Sequence, residues 1–101
     1  MGLRLPNGYE SKTTFWEDFT IADAFGKDAI QDTYNRAFKE WKSNYEYLTD
    51  LVIVLNHKIW QWYGKDEEIA KLYDKLWRET DEYACENLKA DELTYFFKIT
   101  D

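Results

Sequence analysis

The chain has 101 residues, 45% hydrophobic and 19% aromatic, with twenty acidic against thirteen basic side chains and a formal net charge of -7. That length suits one domain able to bury about two-thirds of its unfolded surface, and the acidic balance argues against a simple electrostatic grip on nucleic-acid phosphates. The longest apolar run, Leu51 to Leu55, falls far short of the roughly 20 residues a membrane helix needs, and the single cysteine, Cys85, excludes an internal disulfide. A cytoplasmic protein without membrane contact is expected.

Met1 to Thr13 hold the turn signal Pro6-Asn7-Gly8 and no sustained apolar period. They are expected to form a loop or loosely docked arm, leaving residues 14–101 as one helical domain. Thr14 with Glu17 forms a T-x-x-E capping box for a first helix, whose Phe15, Phe19, Ala22 and Phe25 share one face. Gly26 is placed to close that helix, and Lys27 and Asp28 begin the next.

From Tyr34 the apolar positions run Tyr34, Phe38, Trp41, Tyr45, Leu48, Val52, Leu55, Ile59 and Trp62, alternating in steps of four and three. This heptad stripe predicts one long central helix, Lys27 to Tyr63. Ser43 with Glu46 forms a second capping box inside it, which marks a place for a kink or for a break into two collinear helices at Ser43-Asn44. The stripe stays in phase across that point, which favours one helix. Ile53, Trp60 and Tyr63 add a second apolar line near its end. Gly64 stops the helix, and Asp66, Glu67 and Glu68 open an antiparallel partner, Asp66 to Leu88. Asp91 can cap a short last helix bearing Leu93, Phe96 and Phe97, with a terminal strand as the alternative. The reading is an all-α bundle of about four helices.

Chemistry-bearing motifs are scarce. His57 is the only histidine, and the Glu-x-x-His pattern of a carboxylate-bridged metal site fails because Val54 holds the Glu position. The acids beside Cys85 would raise its thiol pKa rather than activate it. No nucleophile elbow, phosphate loop or dinucleotide fingerprint is present, so no enzyme activity, cofactor or metal is expected. Two surfaces stand out instead. One is acidic: Glu79, Asp81, Glu82, Glu86, Asp91 and Glu92 are interrupted only by Lys89, and such a face would imitate nucleic-acid phosphates and inhibit a basic enzyme that binds them. The other is aromatic. Successive residues on a helix are about 100° apart, so Trp60, Trp62 and Tyr63 point in different directions and one core cannot readily take all three. With Phe96 and Phe97 they form the leading candidate surface for a protein partner. A homodimer along the heptad stripe is a further expectation.

The segments Thr13 to Asp23, Asp32 to Phe38 and Leu55 to Trp60 resemble small uncharacterised helical proteins encoded on bacterial prophages and conjugative elements. The resemblance implies a role in host interaction or element maintenance and assigns no residue a function.

Overall fold

The computed structural model describes residues 13–100 and arranges them as five helices: α1 (Phe15–Phe25), α2 (Lys27–Trp41), α3 (Tyr45–Trp62), α4 (Glu67–Asn87) and α5 (Ala90–Thr100). The all-α class holds. No strand occurs among the described residues, and the terminal segment is helix α5. Residues 1–12 of the expected arm lie outside the described residues.

The predicted long helix is two helices. Residues 42–44 turn the chain, and Asn44, in an extended conformation (φ -103°, ψ 106°), accepts from the backbone N–H groups of Glu46 and Tyr47 through its side chain. The cap is thus Asn44 rather than Ser43. A straight helix from Lys27 to Tyr63 would run about 55 Å, whereas the longest dimension of the folded domain is 37 Å. Folding at Asn44 lets both halves of the stripe face one interior. Tyr34, Leu48, Val52 and Leu55 are buried, and Phe38, Trp41, Tyr45, Ile59 and Trp62 are half-buried.

The other helix ends follow local chemistry. Gly26 sits at φ 109° and donates its N–H to the Ala22 carbonyl, closing α1 with a one-residue corner that only glycine adopts easily. Thr14 precedes α1 but makes no side-chain capping bond; Thr13 takes that role, accepting from the Phe15 N–H at 3.2 Å while donating to the buried Asp50 at 2.7 Å. Asp66 caps α4 through the N–H groups of Glu68 and Ile69. At α5 the reciprocal contact is Glu92 accepting from the Lys89 N–H, and Asp91 lies within the first turn instead of capping it.

The main core joins α1, α2, α3 and α4 through Phe19, Ile30, Tyr34, Leu51, Val54, Leu55, Tyr73 and Leu76. Each such side chain, fully buried, contributes about 1.5–3 kcal/mol of transfer free energy. A second cluster packs Phe96 of α5 onto Leu48, Val52 and Ala84, which sets the start of α3 against the end of α4 and makes that pair antiparallel. Ile53, Trp16, Tyr95 and Ile99 fill the seam between α1, α3 and α5.

Candidate functional site

The turn from α3 to α4 holds two large aromatic rings out in solvent. Tyr63 ends α3 by donating its N–H to the Ile59 carbonyl, and the N–H groups of Lys65 and Asp66 both return to the Trp62 carbonyl. Gly64, at φ 85°, donates its N–H to the Glu67 carboxylate at 3.0 Å. With Asp66 capping α4, the turn is hydrogen-bonded at every step and fixes the direction of the side chains around it. Trp60 is 67% exposed and Tyr63 64%, and their ring centroids stand 5.7 Å apart. Trp60 is the one tryptophan of five left exposed; Trp16, Trp41, Trp62 and Trp77 are all half-buried.

The other members of the expected aromatic surface go elsewhere. Trp62 turns inward against the main core, where its indole N–H is buried without a hydrogen-bond partner. Phe96 is fully buried. Phe97 is 41% exposed on α5, tied to Phe96 and not to the Trp60 pair. Two apolar side chains of α1 are exposed: Phe25, expected on one face with Phe15, Phe19 and Ala22, at 79%, and Ile21, which the sequence reading did not single out, at 60%. For Ile21 the signal was present in the spacing, since it departs from the line through Phe15, Phe19 and Ala22; Phe25 keeps that spacing, but the chain turns at Gly26 directly after it.

The acidic residues divide as well. Glu79, Glu82 and Glu86 lie exposed along one face of α4, but Asp81 is half-buried and Glu92 serves the α5 N-terminus. Lys75 and Arg78 border the same stretch, with Arg78 bonded to Asp74 at 2.9 Å. Cys85 is exposed, and partial burial followed by the charges of Asp81 and Glu86 pushes its thiol pKa up, which makes it a poor nucleophile. His57 packs on Trp16 with centroids 4.6 Å apart; desolvation and then the neighbouring Lys58 lower its pKa, so the ring is neutral at pH 7.

A buried polar cluster was not anticipated. Lys58 of α3 is 2% exposed and donates to the Asp23 carboxylate of α1 at 2.7 Å and to the Thr20 hydroxyl at 3.3 Å. Tyr73 of α4 donates to the other Asp23 oxygen at 2.5 Å. Burial, then that bond to Asp23, raises the Tyr73 pKa far above the ordinary tyrosine value. Each group is matched by a partner and none opens to a cleft, so the cluster joins three helices without presenting a reactive group to solvent. Among the described residues no three His, Cys, Asp or Glu side chains converge as a metal would require. No helix of the described chain is long and apolar enough to cross a membrane.

Comparison of the chain with protein-family models, with curated proteins and with solved structures returned no match.

Proposed function

We propose that the protein is a non-enzymatic interaction module of a mobile genetic element, working in the cytoplasm and binding a protein partner through Trp60 and Tyr63. The observation that carries this reading is the exposed, mutually packed ring pair on a rigid turn, in a domain that turns its other tryptophans inward. Such rings lose little conformational freedom on binding and gain most when a partner removes them from water, which is why they recur as interface anchors. The fold does not need them, so their removal should separate stability from binding.

The test is affinity capture from the native host with wild type and a Trp60→Ala, Tyr63→Ala variant. The variant should melt within about 1 kcal/mol of wild type, as surface changes do, and should lose its partner at least about tenfold, as hot-spot truncations do. A variant that keeps its partner while losing nothing in stability overturns the reading. The acidic-inhibitor alternative predicts the reverse pattern: reversal of Glu79, Glu82 and Glu86 to Lys abolishes capture, and moderate salt dissolves the complex.

A further inference from the structure

Helices α1 and α2 leave a second surface, away from the Trp60 turn, that is built as a cradle for a third helix. The two pack antiparallel around the Gly26 corner: Phe15 near the start of α1 and Trp41 at the end of α2 both touch the Tyr47 ring. Between them runs an open groove of about 630 Å³. From α1 it takes Asp18, Ile21, Ala22 and Phe25, and from α2 Ala29, Asp32, Arg36, Ala37 and Glu40. These positions recur every three or four residues on both helices, so each contributes one continuous face along its length. The floor is low because Ala22, Ala29 and Ala37 carry only methyl groups, and Ile21 and Phe25 rise beside it in solvent.

Geometry and charge together define the occupant. No strand edge borders the groove among the described residues, so an extended peptide would bring unmatched N–H and C=O groups onto an apolar floor. A helix satisfies its own backbone and can seat a ridge between α1 and α2. The faces from Thr14 to Phe25 and from Ala29 to Trp41 are about 17 Å long, which accommodates some three turns. The rim is acidic, with Asp18, Asp32 and Glu40 against Arg36. Asp32 and Glu40 have no ion-pair partner within the described chain. A second copy of this chain, at -7, would bring more negative charge to that rim. We infer that the α1/α2 groove binds a basic amphipathic helix of a partner protein, whose apolar ridge lies along Ile21, Ala22, Phe25 and Ala29 and whose Lys or Arg residues meet Asp32 and Glu40. Those two carboxylates stand eight residues apart on α2, so the matching cations lie about two turns apart on the incoming helix.

The experiment uses the full chain and two synthetic helical peptides that share a leucine ridge at i, i+3, i+4, i+7 and i+11, one flanked by Lys and the other by Glu. Binding is followed by fluorescence anisotropy, and the site is mapped by amide chemical-shift changes. The Lys peptide should bind, shift the amides of Ile21, Phe25, Ala29 and Thr33, and bind at least about tenfold more tightly than the Glu peptide. The Ile21→Ala, Phe25→Ala variant should weaken it about tenfold while retaining the wild-type circular dichroism, because both side chains are exposed. Asp32→Lys with Glu40→Lys should weaken the Lys peptide and tighten the Glu peptide. Equal binding of the two peptides overturns the inference, as does no binding at all. Shifts confined to the Glu79 to Glu86 face or to Trp60 and Tyr63 also overturn it, and the last of these would leave the Trp60 reading standing.

Discussion

Replacing Lys58 by Met removes an ammonium that two hydrogen bonds and near-complete burial hold in one place, and leaves the Asp23 carboxylate buried with only the Tyr73 hydroxyl. Breaking a buried pair in this way costs about 3–5 kcal/mol, a large share of the about 5–15 kcal/mol that stabilises a typical domain. Urea denaturation should show that loss for Lys58→Met. The double variant Lys58→Met, Asp23→Leu should recover much of it, because neither charge is then stranded. The tyrosines add a pH dependence. Burial raises the pKa of Tyr73 and of Tyr34, for Tyr73 with the Asp23 bond as a second cause. Tyr34 donates to the Thr80 hydroxyl, whose own proton goes to the Leu76 carbonyl. An unfolded tyrosine loses its proton near pH 10, whereas the folded protein holds these two protons to higher pH. The folded state therefore binds more protons above that point, and stability present below about pH 10 is lost as pH rises. Tyr34→Phe and Tyr73→Phe should each flatten that alkaline decline in denaturation curves taken across it.

At the scale of the element, caps and corners decide where helices stop. Gly26→Ala would place a Cβ at φ 109°, in space that is sterically open but with a backbone conformation that L residues rarely adopt. The expected cost is about 1–3 kcal/mol. Asn44→Ala removes two side-chain bonds to the α3 N-terminus and should cost about 1 kcal/mol. Thermal melts of the two variants check both values. These ends also show what a one-dimensional reading can reach. Gly26, Gly64 and Asp66 were legible because each acts on its own neighbours. The place of the break at Ser43-Asn44 was marked by the Ser43 and Glu46 spacing, but the choice was not legible, because the in-phase stripe fits a straight helix and a folded-back pair equally well, and only the economy of one shared interior chooses between them. Lys58 escaped for a related reason. In sequence it belongs to the polar Asn56-His57-Lys58, and its place on the buried line through Leu51 and Val54 has meaning only once α1 lies alongside.

At the scale of the whole fold, the aromatic side chains of the described residues fall into three populations. Phe15, Phe19, Tyr34, Tyr73 and Phe96 fill the core, a larger group including Trp16, Trp41, Trp62 and Trp77 lines its margins, and Trp60, Tyr63, Phe25 and Phe97 are exposed. Sequence spacing located the richest end of the molecule but assigned Trp62 and Phe96 outward, since the depth to which α5 and the α3 terminus sink depends on packing partners remote in the chain. Apart from Phe97 on α5, the exposed rings of the described residues divide between two surfaces of different chemistry, one carried by the α3–α4 turn and one by α1. Their separation makes the two binding tests independent of each other.

The Asp23–Lys58–Tyr73 cluster has a consequence for how the bundle comes apart. Helix α1 is eleven residues long and lies at the edge of the fold, the kind of element that ordinarily frays first. Here its departure would uncover Lys58 in the middle of an apolar interior and strip Tyr73 of its acceptor at the same moment. Partial opening at that edge therefore forfeits the ion pair and the Tyr73 bond together with the burial of Phe15, Phe19 and Ala22, which binds the outermost helix into the same cooperative unit as α3 and α4. A small electrostatic knot thus adds to the apolar burial of α1 in making the domain open all at once.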